Sequence, residues 1–383
     1  MNEKKPINKK LKVLQLLPAL HSGGIEASVI NIVKFFSENN NIEVHIASNG
    51  GELQHELPDN VKHFSLNLDH KSIGNLMQAT KKLARIINRE RYDIVHVHSR
   101  FPAWVLYFTK KKVEHDFKVI STIHSAHSQQ FLLKKIYNNQ LAKADMVTTV
   151  SKFMQNYLIE QWNLPQKPKL TYCGVDFNRL IGGNITKYDK LKAIAKEQFI
   201  LLPGRISPKK GHHLLMQSFA RLNNREQYRL LFVGKIQSDK YFNNLRTLAK
   251  ALQIEHLVYF HPAIIDIAEL YRQASLVVVP SVKPEAFGLV TAEAQYAGAL
   301  VLATNIGASP ELIEHNFNGY LCQPNITNLS QQLKHCLDLP NFLRQRITTN
   351  AKIRATAYNY QHTLQQLQQL YFQLCPKREL QPA

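Results

Sequence analysis

Four charged side chains could perform chemistry together if the fold gathers them. Glu285 and Glu293 stand eight residues apart in PEAFGLVTAEA, on either side of a Phe-Gly pair, and Arg205 and Lys210 stand five apart in PGRISPKKG. Two cations on a bent Gly- and Pro-containing loop can converge on one diphosphate. Each such contact at about 4 Å is worth on the order of 4 kcal/mol at an effective dielectric near 20, before desolvation. A carboxylate can take two sugar hydroxyls at once, so the acids suit the groups on either side of that diphosphate. Solvated surface charge accounts for the same cations, and an early-helix acid and a solvated helix-face residue account for Glu285 and Glu293; spacing alone leaves these readings open.

Other candidates lie in the first half. Gly23 and Gly24, in PALHSGGIEA, fall between an apolar stretch and an amphipathic one, where backbone N–H groups can approach an anion or a sugar. The dinucleotide fingerprint G-x-G-x-x-G cannot be laid on S-G-G-I-E-A, and a Walker loop cannot be laid on PGRISPKKG. His96 and His98 alternate with valines in YDIVHVHSR and so share one strand face, while His124 follows the next apolar run. An H-x-H zinc site lacks an accompanying ligand cluster, so no metal is expected.

The elements that must position these residues follow from the apolar pattern. Strands are expected over Leu11–Leu17, Glu43–Ala47, Ile94–His98, Val119–Ile123 and Met146–Val150, and again over Phe199–Leu202, Leu230–Val233, Val258–Phe260, Leu276–Val279 and Leu300–Ala303. Amphipathic stretches separate them, which is the pattern of a parallel sheet covered by helices. Ligands then bind beyond the carboxyl ends of the strands, where Gly23, Gly24, His124, Arg205, Lys210 and Glu285 fall, with His98 at the end of its strand. The break between the two series is expected near 176 to 197, in the Gly- and Lys-rich IGGNITKYDK. LVVVPS supplies a strand, VKPEAFG a loop and LVTAEAQYA a helix, so that helix presents the N–H groups around Gly288 and Leu289 to an anion.

The ensemble resembles the retaining glycosyltransferases of the GT-B fold, family 4. The resemblance rests on Glu285 and Glu293 as an E-x7-E pair, on PGRISPKKG, on CGVD at the crossing between halves, on GG after the first strand and on the closing YNYQHTLQQLQQLY. It implies an α/β chain of two Rossmann-like domains facing a cleft: an acceptor-binding domain over 1–176, a nucleotide-sugar-binding domain over 177–350, and a helix over 351–383 returning to the first. It further implies that Arg205 and Lys210 hold the donor diphosphate, Glu293 the ribose and Glu285 the transferred sugar, with backbone N–H groups near Phe287, Gly288 and Leu289 assisting. His124 would lie near the reacting sugar, with Gly23, Gly24 and His98 towards the acceptor. A UDP-sugar donor, a glycan or lipid-linked acceptor and a role in lipopolysaccharide or surface-polysaccharide assembly are the expectations. No D-x-D triplet occurs in the chain, in keeping with transfer that needs no metal or other cofactor.

Composition limits the partners. With 383 residues the chain is long enough for two cores, and a formal charge of +20 favours anionic ligands or surfaces. Charge is all that supports a nucleic-acid binder, so nucleic acid is not an expected partner; a nucleotide-sugar epimerase of related fold is the rival enzyme. The lysines before VLQLLPAL loosely imitate a signal peptide, but Gln15 and Pro18 interrupt the apolar run, and a buried first strand is expected instead. The four scattered cysteines suit reduced thiols. A cytoplasmic protein is expected, peripheral on the inner face of the cytoplasmic membrane if the stripe Phe101, Trp104, Val105 and Phe108 beside Lys110–Lys112 meets anionic lipid; the same stripe fits a core helix equally well.

Overall fold

The computed structural model describes residues 10–376 apart from 22, 128–131, 163, 265 and 266. The chain forms two compact units, one of residues 1–174 with 361–383 and the other of residues 175–360. In the first unit the elements are β1 (Leu11–Leu16), α1 (Gly24–Ser37), β2 (Ile42–Ser48), β3 (His63–Ser65), α2 (Ile73–Glu90), β4 (Ile94–Val97), α3 (Arg100–Lys110), β5 (Lys118–Ile123), α4 (Leu132–Asn139), β6 (Met146–Thr149), α5 (Lys152–Gln161) and β7 (Lys169–Leu170). Its seven strands are all parallel, in the order β3-β2-β1-β4-β5-β6-β7.

The second unit contains α6 (Asp189–Ile194), β8 (Phe199–Pro203), α7 (His212–Phe219), β9 (Arg229–Val233), α8 (Asp239–Ala251), β10 (Val258–His261), α9 (Ile267–Gln273), β11 (Leu276–Val279), α10 (Leu289–Tyr296), β12 (Val301–Thr304), α11 (Ser309–Leu312), β13 (Tyr320–Cys322), α12 (Ile326–Leu337) and α13 (Asn341–Ala355). Six parallel strands run in the order β10-β9-β8-β11-β12-β13. The last helix, α14 (Tyr360–Leu374), packs on the first unit through Leu364, Leu367, Tyr371 and Phe372.

The central strands read as unbroken apolar runs because helices cover both faces of each sheet. Ile200, Leu201, Leu230, Leu231, Val277 and Val278 are all fully buried. Both sheets reverse direction of winding at one place, between β1 and β4 in the first and between β8 and β11 in the second. There the loops leaving adjacent strands diverge to opposite faces and open a crevice, the place where such sheets bind ligands. The expected linker near 176 to 197 is instead packed structure. Ile185, Leu191 and Ile194 are buried, and the Ile185 N–H donates to Glu269 Oε2 at 2.7 Å. The α3 stripe also resolves as core in part, since Phe101 and Val105 are buried. Among the described residues no helix is long and apolar enough to cross a membrane.

Candidate active site

In the second unit, three loops meet at the crevice between β8 and β11. The loop after β8 runs through Gly204 and Arg205 to a short 3-10 helix, Pro208–Lys210, which delivers Lys210. Gly211 follows with φ +74, and a Cβ there would collide with the Pro280 carbonyl at the end of β11. Only glycine permits both that conformation and that approach. The Val282 N–H donates to the Lys209 carbonyl at 2.9 Å, tying this loop to the one that carries Glu285. The loop after β12 completes the set, with the Ala308 N–H donating to the Glu285 carbonyl at 3.0 Å.

Lys210 Nζ donates to Glu285 Oε1 at 2.7 Å, and Ser281 Oγ donates to the same oxygen. Burial opposes ionisation of Glu285. Lys210, Ser281 and the more distant Arg205 outweigh it and hold the carboxyl below its ordinary value. Glu285 is therefore an ionised, fixed carboxylate, not a solvated early-helix acid, and Lys210 is not loose surface charge. Arg205 itself is exposed. Phe287 is buried against Tyr358, with ring centroids 5.4 Å apart, and Gly288 is the N-cap of α10, so Leu289 opens that helix.

Glu293, inside α10, behaves in the opposite way. Its Oε2 accepts a hydrogen bond from the Tyr271 hydroxyl at 3.0 Å, and burial pushes its pKa up despite the opposing pull of that bond and of Arg179 and Lys210. A neutral phenol, where Glu285 has an ammonium, makes the difference. Ser281, Tyr271 and Arg179 are thus parts of the site that sequence reasoning passed over. Only their positions at the ends of elements offered a signal.

In the first unit, His96 in β4 and His98 just past its end do lie side by side, with ring centroids 4.1 Å apart. His98 Nε2 meets Gln15 Oε1 at 2.8 Å and its Nδ1 meets His124 Nε2 at 3.1 Å, so both nitrogens of His98 are engaged inside the protein. Burial pushes His124 down to about 4 and His98 well below the usual histidine range, so both rings are neutral near pH 7. Gly23 is the N-cap of α1 in extended conformation, and Gly24 is already helical. The Glu26 carboxylate folds back over Gly23, putting negative charge where an anion would approach.

Among the described residues one group of possible metal ligands gathers, Glu43, His45 and Glu90, at the amino ends of the strands. Lys12 Nζ already sits 3.2 Å from Glu43 and 3.3 Å from Glu90, and Lys62 3.1 Å from Glu90. The cluster is an ion-pair network with its cations in place, at the end of the sheet opposite the crevice.

Comparison with known proteins agrees with this geometry. Residues 22–179 match the family described as Glycosyltransferase Family 4, and residues 184–354 match Glycosyl transferases group 1. The chain is 27% identical to the putative glycosyltransferase YtcC of Bacillus subtilis over 95% of this chain and 91% of that one. The crystal structure of a glycosyltransferase from Rickettsia africae superposes with a TM-score of 0.84 at 29% identity, covering 96% and 99% of the two chains. Anabaena Alr3699/HepE, solved in complex with UDP and glucose, gives 0.81 at 22% identity over 94% and 99%. On the two matched halves and the paired parallel sheets, the chain belongs to the group 1, family 4 glycosyltransferases and has the two-domain GT-B fold.

Proposed function

We propose that this glycosyltransferase moves a sugar from a UDP-sugar to a glycan or lipid-linked acceptor, with retention of anomeric configuration and without a metal, in lipopolysaccharide or related surface-glycan assembly. The observation that carries the donor reading is the fixed Lys210–Glu285 pair, with Arg205 beside it, at the switch point of the second sheet. When a nucleoside diphosphate departs, negative charge grows on its phosphate while the sugar becomes cation-like. Cations held in place before the reaction stabilise that state more than the ground state. Lys210, Arg205 and the α10 N-terminus, with the N–H groups of Phe287, Gly288 and Leu289, serve the diphosphate. Glu285 receives hydroxyls of the transferred sugar, Glu293 receives the ribose, and His124 lies at the reacting sugar. The UDP and glucose held by the Anabaena protein support the choice of base.

An anionic membrane surface is the proposed docking partner. Support comes from α4, where Leu132, Leu133 and Ile136 are 73%, 81% and 51% exposed beside Lys134 and Lys135. An apolar face edged by lysines on a chain of charge +20 suits the boundary between headgroups and acyl chains. The enzyme would act there from the cytoplasmic side.

Titration calorimetry with UDP, GDP and ADP in EDTA tests the donor assignment. UDP should bind, EDTA should not weaken it, and Glu285→Ala should abolish transfer while UDP still binds. Loss of binding in EDTA, or full transfer by Glu285→Ala, would refute it.

A further inference from the structure

A string of hydrogen-bonded side chains runs through the first unit from β6 to His124, and only its last two members, His98 and His124, have been given a role so far. Thr148 Oγ1 donates to the Ser121 carbonyl at 3.4 Å, an acceptor with no proton to return. A hydroxyl has one proton, so Thr148 must accept from Thr122 Oγ1, 2.6 Å away. Thr122 has then used its own, and must accept from His96 Nε2 at 2.7 Å. A neutral imidazole carries one N–H. His96 Nδ1 therefore accepts from the Tyr371 hydroxyl at 2.8 Å. Tyr371, its proton committed, accepts from Gln15 Nε2 at 2.9 Å.

That bond orients the Gln15 amide and turns Oε1 to His98 Nε2, which must donate. His98 Nδ1 is left as an acceptor, and the proton in the 3.1 Å contact comes from His124 Nε2. The logic holds only if the rings are neutral. Burial ensures this, holding His96 at about 3, His124 at about 4 and His98 well below the usual value.

We propose that Gln15 and Tyr371 are positioning residues that fix the proton of His124 on Nε2, leaving Nδ1 as a hydrogen-bond acceptor for a substrate hydroxyl. Tyr371 belongs to α14, so the closing helix of the chain sets the proton position on a residue reached through two other side chains. The kinetic consequence rests on the role of His124 proposed above; the proton assignment does not.

Histidine-selective 15N labelling of the full chain, read by two-bond 1H–15N correlation near pH 7.5, tests the assignment. The wild-type protein should show His124 protonated on Nε2. Tyr371→Phe removes the donor to His96 and the acceptor of Gln15, and should give His124 a mixture of tautomers. Thr122→Val, nearly isosteric and suited to the case where Tyr371→Phe fails to fold, strands the His96 Nε2–H. His96 should then protonate on Nδ1, and the reversal should pass through Tyr371, Gln15 and His98 to move the His124 proton to Nδ1. His124 protonated on Nδ1 in the wild type, or unmoved in both variants, overturns the proposal. With the proton moved, a fall in kcat of about 10-fold or more, at nearly unchanged donor KM, supports the acceptor role. An unchanged kcat would support the relay and remove His124 from the transfer step.

Discussion

Lys210→Met tests whether the cation at the crevice is as firmly held as the geometry states. At the 2.7 Å separation from Glu285 the direct attraction is about 6 kcal/mol at an effective dielectric of about 20. Both side chains have left most of their water, being 23% and 18% exposed, so the net value is much smaller. Removing one member of a buried pair costs about 3–5 kcal/mol, chiefly because the other is stranded. Here Ser281 still donates to Glu285, and some water reaches it, so we predict a loss of about 2–3 kcal/mol for Lys210→Met. Adding Glu285→Gln should recover part of this, giving a coupling of about 2 kcal/mol in a double-mutant cycle. Urea unfolding of the four proteins measures it. A coupling below about 0.3 kcal/mol, the usual error of additivity, would refute the reasoning.

The same variant has a pH signature. Glu285 is held below its ordinary value, so its stabilisation is present above the unfolded carboxylate pKa and is lost as pH falls through the lower, folded value. Without Lys210, burial dominates and the acid limb should move to higher pH. UDP should also raise the melting temperature less in Lys210→Met than in the wild type.

Gly307→Ala should cost more than about 1 kcal/mol and should lower transfer sharply. Gly307 has φ +63, and a Cβ there would lie 2.5 Å from the Glu285 carbonyl oxygen and 2.6 Å from its nitrogen. Gly298→Ala is the control, with φ +89 and nothing within 4 Å; equal effects of the two on stability and transfer would show that the crowding against Glu285 is immaterial. Acid should weaken the fold early. His45 and His124 are pushed from 6.5 down to about 4, and His96 to about 3, by burial, so the unfolded chain takes protons from pH 6.5 downward while the folded chain does not. Stability should fall between pH 6.5 and about 4, by on the order of 3 kcal/mol for His45 alone. A thermal midpoint constant from pH 7.5 to 5 contradicts this. Replacing Leu132, Leu133 and Ile136 by Ser should abolish sedimentation with vesicles containing anionic lipid while leaving UDP affinity intact; unchanged sedimentation would remove α4 as the membrane contact.

The frame of the fold was legible because a parallel sheet buried on both faces writes itself as apolar runs. Every strand expected from such a run exists, with no end shifted by more than one residue. The strands that escaped are β3, β7 and β13, each two or three residues long and at or near a sheet edge, where HFS and KL carry too little apolar length to signal anything. The stretch around 176 to 197 is more packed than its composition suggests, for a related reason. Its Gly and Lys residues look like open chain, while Ile185, Leu191 and Ile194 are spaced too irregularly to announce the surface they bury.

The site divides along a different line, between what a residue is and what state it is in. Glu285 and Glu293 can be picked out by type and spacing, yet nothing in PEAFGLVTAEA says that one is held ionised and the other pushed towards its neutral form. That difference is set by Lys210, 75 positions before Glu285, and by Tyr271, 22 before Glu293. The histidines show it at longer range, since Gln15 and Tyr371 are 356 positions apart and reach each other only because α14 packs on the first sheet. Leu364, Leu367 and Tyr371 stand at helical spacing and form one buried face of α14, but that spacing says nothing of the partners that Gln15 and His96 give the Tyr371 hydroxyl. Protonation is therefore a property of the tertiary structure, and for a reaction driven by charge development it is the property that most needs a direct measurement.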